Sequence, residues 1–315
     1  MRNLLIFCST IILAQKDVSP LFSSFDQYQK AKAQTLFNLD WISVGPVMNS
    51  ARVEAVQGDP KNPGTMYVAF GSGNLWKTVD NGLTWKTIFE DQPALGIGDI
   101  ALAPSDPNII YIGTGESLRK NRNFTMPGTG IYRSNDAGNS WKHLGLDNTW
   151  HISEIAVHPK NPDIVLVAAM GKFWSKSTSM GIYRTENGGK SWKRVLFVDE
   201  NTRANDIVIS QSNPNIMYAS MWENNSNQNI AESVYGPKSG IFRSEDGGLN
   251  WEKLTKGLPK GPKIGRIGLA VSHKNEQKVY ALIDNRNNTE GNSAEVYKTI
   301  NGGRSWKIAH QDTLY

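Results

Sequence analysis

Cysteine is almost missing: the 315-residue chain holds one, Cys8, inside an N-terminal apolar run. A disulfide framework is therefore excluded, and once the N-terminal run is removed so is a thiol nucleophile. Histidine is scarce at five residues, and no His/Cys group has metal-ligand spacing. There is no nucleophile elbow and no phosphate-binding glycine loop between a strand and a helix, so neither metal nor cofactor is expected. The net charge is only +5, with lysine and arginine scattered singly and no basic block, which argues against nucleic acid. No apolar run is long enough to anchor the chain across a bilayer. The run Leu4 to Ala14 follows Met1-Arg2-Asn3 and ends on a small residue before Gln15, which reads as a signal peptide over 1–14. Phe7 is too bulky before Cys8 for lipid attachment, so the expected location is secreted, periplasmic or at the cell surface.

Glycine and tryptophan are plentiful, at 29 and 10. Many of them fall in one eight-residue pattern: hydroxyl, any, Asp or Asn, any, Gly, any, any, Trp. It runs from Thr78 to Trp85, Ser134 to Trp141, Thr185 to Trp192, Ser244 to Trp251 and Thr299 to Trp306. The closing tryptophans lie 56, 51, 59 and 55 residues apart, a period that means a repeat architecture. Before each copy stands an apolar-aromatic-basic run, such as Ile131-Tyr132-Arg133 or Val296-Tyr297-Lys298, with strand composition. Within the box, Asp80, Asp136, Asn187, Asp246 and Asn301 accept hydrogen bonds from nearby amides, and Gly supplies a positive φ. Trp85, Trp141, Trp192, Trp251 and Trp306 begin the next strand as apolar anchors. Two of the five acids are amides, so the box is expected to pin a hairpin, not to catalyse.

The pattern resembles the Asp box (BNR repeat) of sialidase-type and sortilin-type β-propellers, including secreted bacterial proteins of that type, over about residues 40–310. The resemblance implies an all-β propeller of four-stranded antiparallel blades, with the boxes between third and fourth strands, away from the binding face. Five blades are expected, as the N-terminal part of a larger propeller whose remaining blades lie on a longer chain. The expected division is a signal peptide over 1–14, a leader over 15–38 and the propeller over 39–315; Ser24 to Gln34 has short-helix composition. Trp41 begins a strand with no box before it, a spare fourth strand.

Variable loops on a rigid scaffold are where binding usually sits. Here these are the loops from second to third strands, Thr114 to Thr129, Gly171 to Met180, Trp222 to Ser239 and Asp284 to Ala294. They and the segments leading into the innermost strands bring Arg52, Glu116, Arg119, His151, Trp174, Trp222 and Arg266 to one mouth as candidate binding residues. Arg122, Phe124, Lys172, Glu223, Glu232, Tyr235 and Arg286 share these loops, and Asp99, Glu154, Arg203 and Asp206 lead into inner strands. Trp174 and Trp222 are the most informative, because a loop indole with no strand to pack on needs a partner. Asn123, Asn224 and Asn287 begin glycosylation acceptor patterns in these loops.

Two functions compete. One is a secreted, sortilin-like binding module for polysaccharide or polypeptide. The other is a glycoside hydrolase of sialidase-like or xyloglucanase-like Asp-box type, which needs two carboxylates across a glycosidic bond. Xyloglucanase-type enzymes place a catalytic Asp just after the second strand of the first blade, where this chain has Gly71 and Ser72. Sialidases carry an Arg-Ile-Pro entry motif, which Arg52-Val53-Glu54 matches only at its arginine. Glu116 and Asp284 are the weak catalytic candidates left. Binding is the expected function.

Overall fold

The computed structural model describes residues 20–35, 51–117, 125–224, 234–287 and 294–312. The signal-peptide run, Trp41, Arg119, Arg122, Asn123, Phe124 and Glu232 lie outside the described residues.

Five four-stranded antiparallel meanders follow one another in chain order. Blade one is β1 (Val53–Gly58), β2 (Met66–Phe70), β3 (Leu75–Thr78) and β4 (Lys86–Thr87). Blade two is β5 (Ile97–Ala103), β6 (Asp106–Thr114), β7 (Ile131–Ser134) and β8 (Lys142–His143). Blade three is β9 (Ile152–Val157), β10 (Val165–Ala169), β11 (Gly181–Thr185) and β12 (Lys193–Leu196). Blade four is β13 (Thr202–Ile209), β14 (Met217–Glu223), β15 (Gly240–Ser244) and β16 (Glu252–Lys253). Blade five is β17 (Ile264–Ser272), β18 (Asn275–Asn285), β19 (Ala294–Thr299) and β20 (Lys307–Asp312). The inner strands β1, β5, β9, β13 and β17 pack each against the next. One helix, α1 (Pro20–Gln34), buries none of its residues and touches blade two through the Phe22 ring on His143. It begins on proline, which suits a first helical turn because the missing N–H has no partner there anyway.

The box geometry is the same in all five hairpins. In blade two the Ser134 hydroxyl donates to Asp136 Oδ1 (2.7 Å) and accepts from the Gly138 N–H (2.8 Å), while the Ser140 N–H donates to Asp136 Oδ1 (2.9 Å). Asn187 keeps this scheme, accepting from Thr185 Oγ1 and the Ser191 N–H, and its amide donates to Ser191 Oγ (2.8 Å). Asn301 repeats it with Thr299 and Ser305. A second tie joins each box to the turn between first and second strands of its own blade. The N–H after the box acid donates to that turn's carbonyl: Asn81 to Gly64, Ala137 to Asn108, Gly188 to Asp163, Gly247 to Asn215 and Gly302 to Gln277.

Alternation along each strand sends one side chain to the preceding blade and the next to the following one, so four apolar layers form between blades. Tyr67 and Ala69 of blade one meet Ile100, Ile110 and Ile112 of blade two. Tyr111 and Ile131 then meet Ile155, Val165 and Val167. Leu166 and Ala168 meet Ile207, Met217 and Ala219, and Tyr218 and Ile241 meet Leu269, Val279 and Ala281. Polar latches cross the same seams. Tyr67 Oη and Lys77 Nζ both donate to the Ala137 carbonyl, at 3.3 and 2.8 Å. Tyr111 Oη donates to the Pro162 carbonyl (2.8 Å), Arg133 to Asp163 (2.7 Å) and Arg184 Nε to the Gly247 carbonyl (2.8 Å). In the other direction, Trp141 Nε1 donates to the Ile88 carbonyl (2.7 Å) and Trp192 Nε1 to the Leu144 carbonyl (2.9 Å). The basic residues Lys77, Arg133 and Arg184 of the apolar-aromatic-basic runs thus reach the next blade.

Among the described residues, none gives the two outermost faces a comparable cover. Tyr280 stands where Tyr67, Tyr111 and Tyr218 stand in their blades, yet it is 38% exposed against 1%, 0% and 0%. Leu282 beside it is 48% exposed, and Val56 on the opposite end of the array is 57% exposed.

Ser134→Ala should cost about 1–3 kcal/mol, because it strands the buried Gly138 N–H as well as losing a donor. Asp136→Asn should stay within about 0.5 kcal/mol of the parent, since blades three and five already use Asn. Urea unfolding of both variants checks the pair; an Asn variant as weak as the Ala variant would show that the charge, not the acceptor, holds the turn.

Candidate binding face

The loops between second and third strands, with the segments entering the inner strands, form the face opposite the boxes. Blade three contributes the loop from Gly171 to Met180. Arg203, at the start of β13 and fully buried, donates to the carbonyls of Met170 and Lys172 (both 2.6 Å) and of Phe173 (3.2 Å). Its guanidinium also lies 5.2 Å from the Phe173 ring centre, and the buried His151 ring lies tilted against the same Phe173 ring at 4.4 Å. Phe173 is itself buried, and Trp174, the next residue, is 44% exposed on top of it. Lys172 lies over the Trp150 ring at 4.8 Å. Trp150 has φ 59°, an uncommon conformation for a bulky residue, and its carbonyl accepts from the Gly128 N–H (2.7 Å). Gly115 makes this approach possible, since a Cβ there would sit 2.0 Å from the Trp150 oxygen.

Trp222 differs from Trp174. The strand β14 extends through Glu223, so Trp222 is a buried strand residue whose indole donates to the Val234 carbonyl (2.7 Å). Arg266 stacks on its ring at 5.1 Å and donates from Nε to Asn205 Oδ1 (2.7 Å). Asn224, which begins one of the glycosylation patterns, is fully buried. Asn287 is half-buried and donates to Asn285 Oδ1 (2.8 Å).

Of the candidate acids, Glu116 is buried and pairs with Arg52 from blade one; it also accepts from Thr125 Oγ1 (3.2 Å) and the Met126 N–H (3.3 Å). Ser117 donates to Glu54 (2.8 Å), so Arg52, Glu54, Glu116 and Ser117 form one seam network. A Cβ on Gly71 would meet Glu54 Oε1 at 2.7 Å and Glu116 Cγ at 2.9 Å. The space where the xyloglucanase resemblance puts an acid is filled by these two glutamates. Asp284 accepts from Tyr235 Oη (2.9 Å) and faces Arg286 at 4.0 Å. Burial first, then the Asp284 charge, pushes the Tyr235 phenol up to about 12, while burial raises Asp284. Among the described residues Glu116 and Asp284 share no contact network: one belongs to the seam of blades one and two, the other to blade five.

A different set of carboxylates gathers on the inner strands. Asp99 accepts from the Ile155 N–H of the next blade (2.7 Å), and Asp206 accepts from the Leu269 N–H of the next blade (2.8 Å). Burial pushes Asp99 up to about 7 against these amide bonds, with the Asp206 and Glu54 charges adding to it. Asp206 rises to about 6 for the same first cause, opposed by Arg266, and Glu154 is raised by burial and by both aspartates. The sequence placed these acids at the inner strands but gave no sign of their mutual electrostatics, which come from blade-to-blade proximity. Nothing in the local sequence of Phe173 or Trp150 marks them as part of this face. Among the described residues no group of three or more His, Cys, Asp or Glu could hold a metal ion.

Five consecutive four-stranded meanders joined inner strand to inner strand define a β-propeller array. The chain belongs to the Sortilin-Vps10 family, whose sequence model, described as sortilin, neurotensin receptor 3, matches residues 73–236. It is also similar to a xyloglucanase of Acetivibrio thermocellus, 27% identical over 154 residues that make up 43% of this chain and 16% of that protein. A probable oligoxyloglucan-reducing end-specific xyloglucanase of Neosartorya fischeri is 23% identical over 219 residues, 64% of this chain and 23% of its own length. The chain thus spans under a quarter of either relative. Among solved structures, an ancestral GH74 enzyme superposes with a TM-score of 0.63 at 22% identity, over 82% of this chain and 31% of that one. The Niastella koreensis GH74 enzyme gives 0.57 at 17% identity, over 81% and 38%. At these identities the structural likeness shows the fold.

The axial acids have a pH consequence. A carboxyl whose folded pKa lies above its unfolded value near 4 stabilises the fold while protonated, and that contribution is lost as pH rises through about 7 for Asp99. Stability from this cluster should therefore fall between about pH 4 and pH 7. Asp99→Asn keeps an acceptor for Ile155 and should flatten that slope, read from urea midpoints across pH. An unchanged slope would show that Asp99 does not titrate there.

Proposed function

We propose that this chain forms part of a polysaccharide-binding propeller that is exported, and that the loop of blade three carrying Trp174 is its contact platform. The observation that carries this reading is the exposed Trp174 indole on a loop stapled by Arg203 to three carbonyls. A rigid aromatic surface loses little conformational entropy when a sugar ring stacks on it. The xyloglucanase relatives support polysaccharide over polypeptide as ligand class. Export rests on the Leu4 to Ala14 run, and a longer parent chain on the short span of the relatives that is matched.

Hydrolysis is the second reading, favoured by the same relatives and by raised carboxylates at the axis, which suit acid or base roles near neutral pH. Against it stand the filled space at Gly71 and the engagement of Glu116 by Arg52.

Affinity electrophoresis in xyloglucan gels, beside a reducing-end assay on the same polymer, separates the readings. The expected result is retardation without release of reducing ends. Trp174→Ala should weaken retardation about 3–10-fold, the worth of about 0.5–1.5 kcal/mol for one aromatic contact. Glu116→Ala and Asp284→Ala should leave any release unchanged; loss of turnover in either variant selects the hydrolase.

A further inference from the structure

Each blade carries a trailing face, toward the following blade, and a leading face, toward the preceding one. Four seams inside the chain show what these faces bind. On the trailing side a tyrosine and a basic residue form a pair: Lys77 lies 5.5 Å from the Tyr67 ring, Arg133 5.4 Å from Tyr111 and Arg243 6.0 Å from Tyr218. In the first two seams both members reach a turn of the next blade, and in the third Arg184 does so beside a leucine. On the leading side lie aliphatic residues of the second strand and, in blades two and three, an indole that donates back to the carbonyl three residues past the preceding tryptophan.

Blade five holds the trailing half already assembled. Lys298 lies 5.6 Å from the Tyr280 ring, and Leu282 stands out beside it. Blade one holds the leading half: Val56 is exposed, Met66 and Val68 are half-buried, and the Trp85 indole turns back on its own Gly82 carbonyl (3.1 Å). We propose that the trailing face of blade five takes the leading face of another blade of this repeat, and that in a solution of this chain the occupant is blade one of a second copy. The complementarity is that of the four seams continued once more. Tyr280 and Lys298 would meet the Asn81 carbonyl, which is the counterpart of the Ala137 and Gly247 carbonyls, and Trp85 would donate to the Ala309 carbonyl. The two faces differ, so the contact is heterologous and joins copies head to tail.

Sedimentation equilibrium of the purified chain over about 1–100 μM tests this, a range that brackets the affinity of weak protein interfaces. The weight-average mass should rise with concentration above the 34.9 kDa of one chain. Tyr280→Arg blocks one face and Val56→Arg the other; both sites are on the surface, and circular dichroism checks that each variant is folded. Each variant alone should be monomeric, because either block removes one half of every contact. Mixed in equal amounts they should form a dimer and nothing larger, joined through the two intact faces. Tyr280→Phe should weaken association about fivefold, one hydroxyl hydrogen bond's worth. A chain that stays monomeric throughout, an association that survives either block, or a mixture that fails to pair would each overturn the proposal.

Discussion

Each of blades two and four presents a backbone carbonyl to its predecessor, and the eight-residue hairpin is what holds that carbonyl in place. The hydroxyl at the head of the box is shared between the acid and the glycine N–H, so the turn has one geometry whatever its exposed residues are. The next amide bonds the neighbouring turn of the same blade, which removes the last freedom of the hairpin. Ala137 and Gly247 then accept lysine, tyrosine or arginine from the blade before. A local turn thus sets the spacing between blades. This explains why the box is repeated more strictly than the apolar residues it separates: an aliphatic layer tolerates exchange of similar volumes, whereas a carbonyl must be in reach of its donor.

The parts of the fold legible in the sequence are those decided by neighbours along the chain. Box spacing, turn chemistry and the alternation of second strands place all five meanders, because each depends on a few consecutive residues. The loop face is less legible. Trp174 and Trp222 follow second strands in much the same local context, and only the longer pairing of β14 with β13, Arg203 opposite Trp222 and Thr202 opposite Glu223, makes one a strand residue and leaves the other outside. Glu116 looks like an available acid until Arg52, from another blade, is seen beside it. Nor does anything around Arg203 in sequence announce that three carbonyls some thirty residues earlier are its ligands.

Electrostatics divide the array into an inner and an outer regime. At the boxes, hydrogen bonds to exposed carboxylates hold Asp80, Asp136 and Asp246 near 2. At the axis, burial lifts Asp99 and Asp206 instead, although each still accepts an amide from the next inner strand. The same residue type is thus used as a fixed anion on one rim and as a group near its titration point in the middle, the difference being desolvation.

The alternation of Asp and Asn among the boxes makes the blades chemically unequal in acid. Blades one, two and four close their hairpins with a carboxylate whose contribution disappears as pH falls through about 2, while Asn187 and Asn301 in blades three and five have no proton to gain. Protonation near pH 2 therefore alters the acceptors in the hairpins of blades one, two and four and leaves those of blades three and five as they are.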